Sequence, residues 1–216
     1  MRQIDHGVFH LTGHAIDDLH SFGDVREKLS FIERFQRVVG PAPVRNPQRR
    51  EMYPWLRPEA SLVAFCILDN HYHVVLRQYE RGGAERVMRS VLASYSRWFN
   101  ARYGRRGTPV FEAPYGVRQV MSSLQGRRTM AYVHLNHEIE LEQYEFSSHG
   151  YYAGRRESGL IDVRSGLSYF GDDYAEYDRF LFNDGMRSVQ AKIARREQGR
   201  GRGRPKPWRG KPSHIR

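Results

Sequence analysis

The chain has 216 residues and a mass of 25.3 kDa, which suits one domain of ordinary size with an appendage. Hydrophobic residues make up 39% and charged residues 27%, so the chain can bury a core, while its longest apolar run, 61–68, is far shorter than the ~20 residues of a membrane span. The N-terminus has no apolar stretch of secretory type and the single cysteine, Cys66, sits in an apolar run. We therefore expect a cytoplasmic protein with no membrane partner and no disulfides.

The net charge of +11 is concentrated at one end of the chain. Residues 187–216 hold eleven Lys or Arg and one acid, Glu197, whereas the remaining 186 residues hold 24 basic and 23 acidic groups. This Gly-, Arg- and Pro-rich stretch lacks the apolar residues that would offset the entropy of ordering. We predict a domain over 1–183 and a disordered basic tail over 184–216. Such a tail suits polyanion binding through counterion release, and a solubilising tail without a specific partner is the alternative.

The first half of the chain reads as strand, helix, loop and hairpin. Residues 6–14 alternate as a β-strand does, and 25–39 have apolar residues at helical spacing. Five prolines and four arginines over 41–58 predict a long irregular connection. The apolar run 61–68 and the β-prone run 71–77, separated by Asp69-Asn70, predict a hairpin.

The second half predicts two further helices and one more strand. Residues 84–103 have helical spacing and end at Gly104, 108–120 are β-branched and aromatic, and 122–140 suggest a third helix. The order β-α-β-β-α-β-α is that of split βαβ folds. It predicts an α+β fold with a ferredoxin-like, RRM-like antiparallel sheet and helices packed on it.

Two histidines alternate with a tyrosine in the predicted strand 71–77. Because strand side chains alternate, His71 and His73 project from one face and Tyr72 from the other. Two imidazoles on one face make a good pair of metal ligands. The same spacing also arises by chance on exposed strand faces, so a metal site needs further groups.

The predicted third helix offers such groups. Tyr132 and Asn136 are four residues apart, which on a helix places them on one face about one turn apart. The amide oxygen of Asn136 can bind a hard cation, and the phenol of Tyr132 can reach the same place. Packing of Tyr132 against the sheet is the simpler alternative. His134, between them, would point elsewhere on a regular helix.

Four segments resemble, in order, the sequence blocks of the single-tyrosine HUH transposases, and most nearly those of the REP-associated tyrosine transposases. The resemblance is moderately specific for each block and highly specific for the ordered set. It spans roughly residues 6–181 and leaves out the basic tail. The four segments are 69–76, 94–107, 132–136 and 144–149.

The resemblance implies a transposase with the HUH endonuclease fold. Such an enzyme nicks and joins single-stranded DNA, often beside a hairpin, through a 5′-phosphotyrosine intermediate. It implies Tyr132 as the nucleophile and His71, His73 and Asn136 as the metal ligands, with Mg²⁺ or Mn²⁺ as the cofactor. The expected partner is single-stranded or hairpin DNA, the expected location is with the nucleoid, and the protein is a monomer or a homodimer.

Three residues depart from the family pattern, and the segment 138–142 replaces a more basic stretch. Asp69 and His137 each stand where proline is usual, and Thr12 stands where arginine is usual. None of these changes removes a candidate ligand. His137 becomes an alternative to Asn136 as the third ligand, and Thr12 weakens one expected phosphate contact.

The predicted DNA contacts are basic residues at and after the end of the second helix and in the tail. Phosphate contact or stacking on unpaired bases suits the first group, and a solvated helix end is the alternative. The predicted contacts are Arg102, Arg105, Arg106, Arg202, Arg204 and Lys206.

Other tyrosines and histidines have simpler interpretations. Aromatic residues at regular spacing usually pack, which is the prediction for Tyr95, Tyr103, Tyr115, Tyr151 and Tyr152. Three histidines share a face of the first strand and are interpreted as structural or phosphate-proximal rather than as a second metal site: His6, His10 and His14.

Two other functions remain open from the sequence. The first is a domesticated nucleic-acid-binding protein that kept the sheet and lost the chemistry. Intact His71, His73, Tyr132 and Asn136 argue against it. The second is a metal nuclease that activates a water molecule, which would survive replacement of Tyr132 by phenylalanine.

Overall fold

A four-stranded antiparallel sheet forms the centre of the protein. The computed structural model describes residues 6–16, 19–136, 144–157 and 159–185, with side chains as far as Asn183. Its elements are, in chain order, β1 (Gly7–His14), α1 (Val25–Val39), β2 (Ala60–Ile67), β3 (His71–Gln78), α2 (Gly83–Arg102), β4 (Gly116–Val120), α3 (Ser123–His134), α4 (His149–Tyr152), α5 (Val163–Leu167), a 3₁₀ turn (Ser168–Phe170), α6 (Tyr174–Phe180) and a π turn (Leu181–Gly185).

The strands lie in the order β2-β3-β1-β4, so β1 and β3 are the two inner strands. Every neighbouring pair is antiparallel. Strand β3 inserts between β1 and β2, which are joined through α1, and this is the split βαβ arrangement. The predicted α+β fold with an antiparallel sheet is confirmed.

The β2–β3 hairpin turns at the predicted place. The backbone N–H of Leu68 donates to the carbonyl of His71 at 2.8 Å and closes the turn around Asp69 and Asn70. All eight residues of β2 are buried, because helices cover both faces of the sheet. The hairpin therefore holds the start of β3 at one end of a fully packed strand.

The two faces of the sheet carry different helices. On the face of Tyr72, its ring packs against Phe31 of α1, which also contacts Tyr95 of α2. On the opposite face, the ring of Tyr132 from α3 packs against the ring of His73.

Helix α1 starts at a reciprocal cap between Asp24 and Glu27. The backbone N–H of Glu27 donates to the Asp24 side chain at 2.7 Å, and the backbone N–H of Asp24 donates to the Glu27 side chain at 3.0 Å.

The predicted strand over 108–120 is wrong in its first half. Only Gly116–Val120 pairs in the sheet, and Phe111 makes a single bridge to Ala15. Pro109 and Pro114 have no backbone N–H to donate to a neighbouring strand, which explains the shorter strand.

No helix among the described residues is long and apolar enough to cross a bilayer.

Candidate active site

Strands β1 and β3 bring four histidines to one face of the sheet. His71 and His73 share that face by alternation, as predicted. In the β1–β3 register His14 pairs with His71 and Thr12 with His73, so His14 and His10 project from the same face. The predicted ligand pair thus has a β1 histidine beside each member.

Each histidine of β3 stacks on a histidine of β1, which gives two close pairs. The rings of the two β3 histidines, His71 and His73, are 5.3 Å apart between centroids. His10 stacks on His73, with its Nε2 3.1 Å from Nδ1 of His73. His14 stacks on His71 at 4.9 Å between centroids. Nδ1 of His71 is 2.8 Å from Oδ1 of Asn70.

The structure places Tyr132 against these histidines. Its half-buried ring meets His73 edge-on at 5.1 Å between centroids and His10 at 6.0 Å. Tyr132 therefore packs against the sheet, and it does so at the histidine cluster. The predicted nucleophile and the predicted imidazole ligands occupy one place.

Asn136 lies beyond the helix that was predicted to carry it. Helix α3 ends at His134, because Leu135 has φ −98° and ψ 7°, outside the helical region. The prediction that Tyr132 and Asn136 share a helical face is therefore wrong. Asn136 is half-buried, and its buried Nδ2 has no hydrogen-bond partner among the described residues. A buried N–H without a partner is costly, but it is a donor, so only the Oδ1 atom of Asn136 could bind a cation.

A divalent cation at the strand histidines stays a prediction, and it would require a mixed set of donors. In the part of the chain that the structure describes, no three His, Cys, Asp or Glu side chains are arranged to hold a metal. The two strand histidines would therefore need a third donor of another type, and the Asn136 amide oxygen has the chemistry for it. The alternative third ligand, His137, lies outside the described residues.

A buried polar network fixes the last turn of α3. His134 Nε2 lies 2.7 Å from Ser148 Oγ, and its Nδ1 lies 2.9 Å from the Tyr177 hydroxyl. Ser148 Oγ in turn accepts the N–H of Phe65 in β2 at 2.9 Å. His134 thus points away from the Tyr132 site, as predicted. It ties the helix that carries Tyr132 to the sheet and to α6.

Asp69, at a position where the family resemblance leads us to expect proline, anchors the turn before His71. Its carboxylate accepts a hydrogen bond from Nζ of the mostly buried Lys28 at 2.7 Å. Its carbonyl accepts the N–H of Phe22 at 2.9 Å. Helix α1 and the β2–β3 turn are therefore joined through an ion pair that proline cannot form.

Two of the three arginines predicted as DNA contacts at and after the end of α2 have structural partners. Arg102 forms an ion pair with Asp24 at 3.1 Å, and Arg105 donates to the carbonyl of Pro109 at 3.0 Å. Arg106 is exposed. DNA contact by these three stays a prediction. The other predicted contacts, Arg202, Arg204 and Lys206, lie outside the described residues.

Two other arginines flank the site and were not predicted. Arg118 of β4 pairs with His10 in the sheet register and so shares the site face. Arg128 lies one turn before Tyr132 on α3. Both are exposed, and neither side chain has a hydrogen bond or ion pair to another described residue. Two features of the sequence could have identified them. These are the alternation of side chains along β4 for Arg118 and the four-residue spacing from Tyr132 on α3 for Arg128.

Two of the other tyrosines pack as predicted. Tyr95 is fully buried between α1 and α2, and Tyr152 is buried with its hydroxyl donating to the Val63 carbonyl at 3.0 Å. Burial raises the pKa of both phenols, which makes them harder to ionise than an ordinary tyrosine.

Sequence comparison and structure comparison give different results. No family model and no curated protein matches the sequence. The fold is similar to that of a REP-associated tyrosine transposase solved bound to a REP hairpin, with a TM-score of 0.50. That likeness covers 76% of this chain and 87% of the other at 12% sequence identity. At this identity the likeness establishes the fold.

Proposed function

We propose that this chain is a metal-dependent endonuclease and strand transferase for single-stranded DNA, of the tyrosine transposase type. The observation that carries the proposal is the contact of the Tyr132 ring with His73, whose strand neighbour His71 projects from the same face. The fold likeness to a transposase bound to a DNA hairpin supports it. Hairpin DNA is accordingly the proposed substrate.

Tyr132 is the proposed nucleophile. Its phenol oxygen would attack a backbone phosphorus, the bond to the 3′ oxygen would break, and the proton lost by the phenol would be matched by one gained at that oxygen. The products are a 5′-phosphotyrosine and a free 3′-hydroxyl. Because the phosphotyrosine is an ester like the bond that was broken, a second 3′-hydroxyl can reverse the attack and join strands.

His71, His73 and Asn136 are the proposed metal ligands. Mg²⁺ or Mn²⁺ held there would supply Lewis-acid stabilisation of the charge that develops on the phosphate. Burial of His73, which is 4% exposed, keeps water from one side of the site and strengthens electrostatic interactions within it.

Arg118 and Arg128 are the proposed contacts for the DNA backbone. Thr12 removes the arginine usual in β1, and Arg118 places a cation on the same face of the neighbouring strand. Arg128 precedes the nucleophile by one helical turn. These two cations, on the strand and the helix that border the site, would hold phosphates near the attacked one.

The experiment is incubation with end-labelled single-stranded DNA hairpins from the protein's genomic neighbourhood, with Mg²⁺ or Mn²⁺, followed by denaturing gels. We expect a metal-dependent covalent protein–DNA band that is lost in Tyr132→Phe and in His71→Ala. Tyr151→Phe is the matched control, since the Tyr151 hydroxyl bonds no described residue and its ring lies over Arg156. Cleavage without an adduct that survives Tyr132→Phe would show a metal nuclease that uses water. Binding without cleavage of any hairpin would show a domesticated binding protein.

A further inference from the structure

We infer that His10 is a positioning residue that accepts the Nδ1 proton of His73 and thereby leaves Nε2 of His73 unprotonated for the metal. The inference rests on the proposed function, because it assigns a role toward the proposed metal. His10 belongs to β1, outside the β3 pair and α3, and sequence reasoning interpreted it only as structural or phosphate-proximal.

The contact between the two histidines is close and partly buried. Nε2 of His10 is 3.1 Å from Nδ1 of His73, and the rings stack at 5.2 Å with an interplanar angle of 29°. His73 is 4% exposed, so the polar atoms of its ring depend on protein partners. In the register His10 is opposite Val75 and Thr12 is opposite His73, so the two imidazoles meet along the diagonal of an antiparallel pair.

A hydrogen bond between two imidazoles runs in one of two directions. If His10 donated, the neutral His73 ring would carry its proton on Nε2 and could not offer that nitrogen to a cation. If His73 donates from Nδ1, its Nε2 keeps a lone pair. Ligand histidines commonly donate their second ring N–H to a neighbouring acceptor, which fixes tautomer and ring orientation.

His71, in the same strand, offers a parallel case. Its Nδ1 is 2.8 Å from Oδ1 of Asn70, and an amide oxygen can only accept, so His71 carries its proton on Nδ1. The strand neighbour His73 has the same nitrogen facing His10. Both His71 and His73 would then present Nε2 to the metal. Asn70 in the turn would hold the His71 ring, and His10 in β1 would hold the His73 ring.

His10 does not serve as a third imidazole ligand. Within the described residues no set of three His, Cys, Asp or Glu can hold a metal, although His10, His71 and His73 are close together. Its Nε2 is engaged with His73 rather than directed to a shared centre. This geometry allows His10 to support His73, the neighbouring metal ligand.

The first test reads the tautomer without metal. Long-range ¹H–¹⁵N correlation spectra of ¹⁵N-histidine-labelled protein at pH 8, with His73→Gln used for assignment, should show the His73 proton on Nδ1. A neutral His73 protonated on Nε2 in the metal-free protein would overturn the inference.

The second test measures Mn²⁺ affinity by calorimetry in the absence of DNA. His10→Phe should weaken binding by about 10- to 100-fold, the usual effect of removing such a support. His10→Gln places an amide oxygen near the lost Nε2 and should restore most of the affinity. The control is His20→Phe, an exposed position before α1, which should bind as the wild type does.

The outcomes separate this inference from the proposed function. A wild-type protein that binds no Mn²⁺ and forms no DNA adduct would refute the proposed function. A wild type that binds Mn²⁺, with His10→Phe binding equally well, would refute only the role of His10. If His10→Phe fails to fold, as judged by its near-UV circular dichroism, the tautomer spectrum and His10→Gln still decide the question.

Discussion

The phenol oxygen of Tyr177 lies between two buried imidazoles, 2.9 Å from Nδ1 of His134 and 2.9 Å from Nδ1 of His149. A phenol has one proton to donate, so Tyr177 donates to one of these histidines and accepts from the other. With His134 also bonded to Ser148, the chain of bonds runs from α6 through the end of α3 to β2. The placement of Tyr132 thus depends on residues far from it in sequence.

Replacement of Tyr177 by phenylalanine tests this network. The ring packing remains, but two buried ring nitrogens lose a hydrogen-bond partner, so we expect the free energy of unfolding to fall by about 1–3 kcal/mol. Urea denaturation followed by circular dichroism measures it. Tyr151→Phe, at a half-buried position, should change stability by less than about 0.5 kcal/mol. Equal effects of the two variants would contradict a special role for the Tyr177 hydroxyl.

Alkaline pH should destabilise the fold. Burial raises the pKa of Tyr72, Tyr95, Tyr152 and Tyr177 above the ordinary value of 10.0. The unfolded chain therefore loses these protons at lower pH than the native state. Their stabilising contribution is complete below pH 10.0 and is lost as pH rises toward the native pKa values.

The expected slope is about 1.4 kcal/mol per pH unit for each such tyrosine. Urea unfolding between pH 8 and 11.5 measures it, and Tyr177→Phe should decline less steeply than the wild type, whatever its stability at neutral pH. A free energy of unfolding that stays level to pH 11 would show that these phenols titrate normally in the native state.

Arg118→Ala and Arg128→Ala should weaken binding of single-stranded DNA. Each variant should also reduce the slope of log affinity against log salt by about 0.7, the value for one phosphate contact on a single strand. Fluorescence anisotropy with a labelled oligonucleotide across a salt series measures both quantities. Arg89→Ala is the matched control, because Arg89 is an exposed arginine paired with Glu85 on α2. Loss of affinity with an unchanged salt slope would argue against phosphate contact.

Removal of residues 187–216 should separate general DNA affinity from chemistry. The deletion takes away eleven basic groups and one acid. We expect weaker DNA binding with a much shallower salt dependence, whereas adduct formation at saturating DNA should persist because the proposed active site lies in the domain. The same oligonucleotide and gel assays serve here. Loss of the adduct at saturation would place part of the active site in the tail.

The sequence predicted most of the sheet and the histidine pair, because both follow from local periodicity. The predicted limits of α1 hold at both ends, and those of α2 are shifted by one residue. The end of α3 was not predictable in this way. It coincides with bonds of His134 to Ser148 and Tyr177, which lie 14 and 43 residues further along the chain. His10 likewise becomes informative only when the strand order places β1 beside β3.

The strand order also determines how firmly the two imidazole pairs are held. β1 and β3 each have a hydrogen-bonded neighbour on both sides, so neither strand can shift without breaking two ladders at once. Movements that open such inner strands require nearly the whole free energy of unfolding. The histidine side of the site is therefore rigid before any ligand arrives. Little of the binding energy of a metal or a DNA strand needs to be spent on assembling it.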